Sequence, residues 1–225
     1  MLWIDDGYNM DIKHKSEREI PVGETASVRG ELILPAEAKL IIIFAHGSGS
    51  SRFSPRNQMV ADYLHQHQLG TFLFDLLTKE EDVDYYNRFN IQLLAQRLLK
   101  ATEYLQLQNE TKGFYYSYFG ASTGAAAALM AGSLKPQITA VVSRGGRPDL
   151  AMTSLANVKA PTLLIIGSKD DEVLQLNRQA LEKINSEKKL AVVEEATHLF
   201  EEPGTMEEVC RLAADWFQTH SQPVV

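Results

Sequence analysis

The sequence predicts an α/β fold, with a mostly parallel sheet, an antiparallel N-terminal edge and helices on both faces. Three observations carry this reading. Residues 40–45 are an uninterrupted apolar run, suited to a central strand buried on both sides. Strand-like and helix-like segments alternate from there to the end of the chain, and such alternation demands right-handed crossovers between parallel strands. Ahead of that run, Val28, Gly30, Leu32 and Leu34 alternate with Arg29 and Glu31 in the period of a half-exposed strand, so the strands before Leu40 form the antiparallel edge.

The elements follow in order. Residues 57–68 read as a helix and 71–76 as a strand. Residues 91–105 read as a helix whose Ile91, Leu94, Leu98, Ala101 and Leu105 recur at spacings of three and four. Strands are expected at 114–119, 138–143, 162–166 and 190–194, with helical patterns between them. The last helix opens at Thr205, and Glu208 three residues on completes a capping box; its buried face is Val209, Leu212, Ala213 and Trp216. About 18 residues separate Ser143 from Thr162, too few for a large cap domain. The acidic and tyrosine-rich stretch 77–90 is the segment expected to serve as a partial lid.

With 225 residues and 44% hydrophobic content, the chain has material for one well-buried core, and 1–225 is read as a single domain. The 22 basic and 29 acidic residues leave a net charge of -7, which argues against nucleic acid or an anionic membrane as partner. Met1 to Met10 carry Asp5 and Asp6 and no apolar stretch of signal-peptide length, and no apolar run approaches a membrane span. A soluble cytoplasmic protein is the expectation. The one cysteine, Cys210, excludes an internal disulfide and a cysteine metal cluster, and no metal is expected.

In parallel sheets of this kind, ligand sites lie beyond the carboxyl ends of the strands. After the strand 114–119 comes Gly120-Ala121-Ser122-Thr123-Gly124, followed directly by the helix-forming run 125–130. This is the setting of a nucleophile elbow, in which a serine on a strained turn projects above the sheet and its neighbours two residues away must be nearly free of side chain. A serine hydroxyl needs a base, and the base a carboxylate to fix its tautomer. His198, just past the last strand, is the candidate base; the other histidine after Ser122, His220, lies in the final residues. Asp170 is the expected acid in the loop after the buried strand 162–166, with Asp171 its close rival and helix capping the alternative use of either.

The oxyanion hole is expected from the N–H of Thr123 and from a second N–H in Phe44-Ala45-His46-Gly47-Ser48-Gly49-Ser50-Ser51, with Ser48 first and Gly49 second choice. A phosphate-cradling loop is disfavoured there because the Gly-Lys-Ser/Thr ending is missing. His46 precedes the nucleophile and is read as structural, and Cys210, with no elbow around it, as a small buried residue. Arg52, Arg144 and Arg147 follow strands at the site edge, where guanidinium groups either grip a substrate carboxylate or phosphate or anchor loops through salt bridges.

With these residues in hand, the chain resembles the dienelactone-hydrolase-like branch of the α/β-hydrolase superfamily, and more narrowly the hydrolase domain found alone or fused to phosphoribosyltransferases in bacteria. The resemblance covers roughly residues 18–219. It is carried by the Phe44 to Arg52 stretch, by Gly120 to Gly124, by Ser143-Arg144-Gly145-Gly146-Arg147-Pro148-Asp149 and by Thr197-His198-Leu199-Phe200-Glu201-Glu202-Pro203-Gly204. It implies a Ser122, Asp170, His198 triad and hydrolysis of an ester or lactone; the triad chemistry runs through an acyl-enzyme on Ser122 and needs no cofactor, the short connection after Ser143 points to small substrates, and the arginines allow an anionic one. Dienelactone hydrolases proper carry cysteine where this chain has Ser122, so the dienelactone itself is not the implied substrate. A thioesterase or peptidase with the same triad, and a binding protein that kept the fold without catalysis, are the alternatives. The sequence leaves the oligomeric state open.

Overall fold

The computed structural model describes residues 11–23 and 26–222; the first ten residues, read above as lacking a leader, lie outside them. Eight strands form one sheet in the order β1-β2-β4-β3-β5-β6-β7-β8. β1 (Ile12–Pro21) and β2 (Ser27–Pro35) pair antiparallel, and β2 pairs antiparallel with β4 (Gly70–Phe74). From there β3 (Leu40–Ala45), β5 (Tyr115–Ala121), β6 (Ile138–Arg144), β7 (Thr162–Gly167) and β8 (Lys188–Val193) continue in parallel.

Strand β3 shows why both faces are covered. All six of its residues are buried. Leu40, Ile42 and Phe44 enter one core with residues of α1 (Pro55–Gln66) and α6 (Thr205–Thr219). Ile41, Ile43 and Ala45 enter the other, with α3 (Ile91–Gln106) and α4 (Thr123–Leu134). The short α2 (Lys79–Asp82) follows β4, and α5 (Asp171–Lys183) connects β7 to β8. The β6 to β7 connection is a 3-10 segment, Pro148–Asn157, and no cap domain is inserted there.

Helix α4 is walled in on all sides, with Ala125 to Ala128 fully buried. Its small side chains let it press against the sheet. A Cβ at Gly120 would fall 2.4 Å from the Cα of Ala125, and one at Gly124 would fall 2.2 Å from the carbonyl oxygen of Ala45. Both positions demand glycine by close approach.

The start of α6 departs from the expected capping box. Thr205 is the first helical residue rather than the cap, and the cap is Gly204 in the left-handed region at φ 83°. That turn sends the Thr205 hydroxyl back to the carbonyl of Glu202 at 2.7 Å, and the Glu208 carboxylate pairs instead with Arg211 at 2.7 and 2.8 Å.

Connectivity places the site. From β3 the chain moves to β4 on one side, then crosses to β5 on the other. The loops leaving β3 and β5 therefore diverge, and a crevice opens between their carboxyl ends.

Candidate active site

Ser122 stands at the tip of the β5 to α4 turn, with φ 52° and ψ -120°. A non-glycine residue there is strained, and the neighbouring backbone holds it in place. Its N–H donates to the carbonyl of Arg144 at 3.1 Å, and its own carbonyl accepts from Ala125 at 3.1 Å and Arg147 at 3.2 Å. The loop after β6 thus braces the elbow from both ends.

His198 donates or accepts through Nδ1 to Asp170 Oδ2 at 2.6 Å. An ionised carboxylate only accepts, so this contact sets Nδ1 as the protonated nitrogen and turns Nε2 away from Asp170. Asp170 is half-buried at the end of the β7 loop, whereas Asp171 is exposed as the first residue of α5. Ser122 and His198 line one cavity of about 250 Å³, together with Gly47, Ser48, Arg144 and the first turn of α1. The serine and the imidazole are not hydrogen-bonded to each other; in substrate-free sites such contacts are commonly long and close when the substrate arrives.

The two expected oxyanion donors meet each other. The Ser48 N–H, expected to face substrate, donates to the Thr123 hydroxyl at 2.9 Å, so in this state it is engaged. Thr123 is the first residue of α4, where backbone N–H groups have no acceptor within the helix and the dipole favours negative charge.

His46 joins two loops. Leu76 N–H donates to its Nε2 at 3.1 Å, so Nδ1 carries the proton and donates to the carbonyl of Gly47 at 3.0 Å. Burial pushes its pKa below the ordinary value, partly offset by the Gly47 carbonyl and by Asp75 and Asp82. The neutral ring therefore fixes the loop after β3 against the loop after β4. Cys210 is 1% exposed, and burial raises its thiol to about 12, which makes it a poor nucleophile.

The three arginines part company. Arg52 lies in a separate cleft beside β1 and β2, paired with Glu17 at 2.6 Å and Asp75 at 3.4 Å, the salt-bridge arrangement that was the alternative to substrate contact. Arg147 is bound bidentate by Asp149 at 2.9 and 2.8 Å, which raises its pKa and makes it an anchor of its loop. Arg144 alone lines the cavity of Ser122. Ser50, Ser54, Arg56 and Asn57 line it too and were not foreseen. The signal was present in Ser54-Pro55, a helix cap followed by proline, which starts α1 two residues before the expected 57 and turns its first turn toward the site.

Similarity to known proteins bears on the family and the fold. Residues 74–221 match the model of the dienelactone hydrolase family. A dienelactone hydrolase from Anabaena variabilis is 48% identical, with a TM-score of 0.89 over 93% of this chain and 99% of that one. Two Mycobacterium tuberculosis proteins bearing the name phosphoribosyl transferase are 53% identical over 194 residues, which is 86% of this chain and 44% of theirs. The chain thus spans less than half the length of those curated relatives. An α/β serine hydrolase without lid from Xanthomonas campestris shares the fold at 17% identity, with a TM-score of 0.76 over 95% of this chain and 97% of that one. By the family match and by these relatives, the chain belongs to the dienelactone hydrolase family.

Proposed function

We propose that the protein is a serine hydrolase that cleaves small carboxylic esters or lactones through an acyl-enzyme on Ser122. The observation that carries this reading is the 2.6 Å contact between His198 Nδ1 and Asp170, at the cavity into which the Ser122 turn opens. Asp170 holds the imidazole in one tautomer, and Nε2 takes the Ser122 proton as Oγ attacks the carbonyl. The negative charge that develops on the carbonyl oxygen falls at the start of α4, where the Thr123 N–H donates. Ser48 supplies the second donor by releasing or sharing its bond to the Thr123 hydroxyl. His198 then protonates the leaving alcohol, and water, deprotonated by the same ring, hydrolyses the acyl-enzyme. No cofactor enters these steps.

The test compares matched oxygen ester, thioester and amide substrates. The reading predicts kcat/KM highest for the oxygen ester, with Ser122→Ala lowering it by roughly 10³-fold or more. Turnover that survives Ser122→Ala, or a preference for the amide, refutes it.

A further inference from the structure

The cavity beside Ser122 contains a buried cation that the fold itself leaves without a partner. Arg144 is 6% exposed, and its Nε meets no hydrogen-bond acceptor among the described residues. The charges acting on it are Arg56, which repels it, and the Cys210 thiol; no carboxylate is among them. Burial lowers it only to about 10, so it remains a cation at neutral pH. Its guanidinium carbon sits 5.8 Å from the Phe200 ring centre, a contact that fixes its place without neutralising it. A buried, uncompensated guanidinium is costly to maintain, and packing alone gives no reason to keep one.

The first turn of α1 supplies an independent second half. This helix of 12 residues begins at the cavity wall; Pro55 carries no N–H, Asn57 N–H donates to Ser54 Oγ at 3.4 Å and Gln58 N–H to the Ser54 carbonyl at 2.9 Å, which leaves the Arg56 N–H as the first-turn donor without an acceptor in the helix. Among the described residues, Arg56 is held only by a long contact of 3.5 Å to the exposed Glu201. Among the described residues, the cavity lining contains no aspartate or glutamate. Two guanidiniums, the Arg56 N–H at the start of α1 and the hydroxyls of Ser50 and Ser54 exceed what the two oxygens of a carboxylate can use, and they suit the three terminal oxygens and double charge of a phosphate monoester.

We propose that Arg144, Arg56 and the first turn of α1 form an oxyanion-binding subsite, and that the substrate is an ester or lactone bearing a phosphate monoester group. This rests on the hydrolase reading of Ser122 and adds the chemical class of its substrate.

Two measurements test it separately from catalysis. The first uses p-nitrophenyl esters of 3-phosphonopropanoate, of succinate and of pentanoate, the phosphonate standing in for the phosphate. The phosphonate ester is expected to exceed the neutral one in kcat/KM by roughly 10- to 100-fold, the usual strength of hydrogen bonds to a charged group, and that ratio should fall toward one in Arg144→Gln. The second follows inorganic phosphate binding to Ser122→Ala by calorimetry at constant ionic strength. Saturable binding that weakens at least tenfold on adding Arg144→Gln supports the subsite; should that variant not fold, Arg56→Gln must weaken phosphate binding several-fold.

Neutral and phosphonate esters turned over equally, with no phosphate binding, would overturn the subsite and leave the hydrolase reading standing. Arg144-dependent phosphate binding without turnover of any ester would support the subsite and overturn the hydrolase reading. A succinate ester preferred as strongly as the phosphonate would overturn the assignment to a phosphate.

Discussion

Two side chains carry separate expectations at the scale of single residues. If Asp170 fixes the His198 tautomer, Asp170→Asn should lower kcat by about 10³- to 10⁴-fold while Asp171→Asn, at an exposed position, changes it by no more than about threefold. Steady-state rates on a short ester decide, and equal losses in the two variants would contradict the assignment. His46 bears on stability. Its folded-state pKa is depressed by burial, so the unfolded chain binds more protons once pH drops below the ordinary 6.5. The stability it contributes is complete above that value and is lost as pH falls toward the folded-state pKa, with a slope of up to about 1.4 kcal/mol per pH unit. Urea unfolding between pH 7 and 5 should show a shallower fall in His46→Gln than in the wild type; parallel curves would rule this role out. The sequence could single out Ser122 and His198 because each follows a strand in the right chain order. It favoured Asp170 but left Asp171 a close rival, since the choice depends on where one turn ends and α5 begins. Nor could it sort the arginines, because Arg52 finds Glu17 and Asp75 only through the sheet pairing that brings β1 beside β2 and the loop after β4 nearby.

The elements were legible where burial is one-sided or complete. β3 and the periodic α3 stand out because apolar residues and element coincide. β1 is the opposite case: apart from the buried Ile20, its residues alternate half-buried and exposed with charges on both faces, so no hydrophobic period marks it individually. The face of α6 was read slightly off. Val209 and Ala213 are fully buried as expected, but Cys210, Ala214 and Phe217 are buried alongside them, while Leu212 and Trp216 lie at the margin. Small residues in the walls of α4 give the sharpest test of an element. Gly124→Ala would drive a methyl into the Ala45 carbonyl and should cost more than about 2 kcal/mol. Gly113→Ala, at φ 85° with open space around it, should cost about 1 kcal/mol from backbone strain alone. Comparable losses in the two variants would mean that α4 can move off the sheet.

For the whole molecule, the topology defines how open the site is. No domain is inserted between β6 and β7, and the segment expected as a partial lid is fastened down: α2 is capped reciprocally by Thr78 and Glu81, Asp82 pairs with Arg88 at 2.8 Å, and Glu81 pairs with Arg97. Among the described residues, no helix is long and apolar enough to cross a membrane. The cavity beside Ser122 is small, about 250 Å³, below the usual range for drug-sized ligands. Acyl groups of two to four carbons should therefore exceed a twelve-carbon group in kcat/KM by about tenfold or more, measured on p-nitrophenyl esters. Equal rates would imply a channel that this arrangement lacks.

Everything functional depends on Ser122 being activated by its histidine. Labelling the intact protein with a fluorophosphonate and locating the adduct by mass spectrometry asks this directly. The account predicts one adduct per chain, on Ser122, lost in Ser122→Ala and strongly slowed in His198→Gln. A folded wild-type protein that resists the probe, or an adduct on another residue, would contradict it.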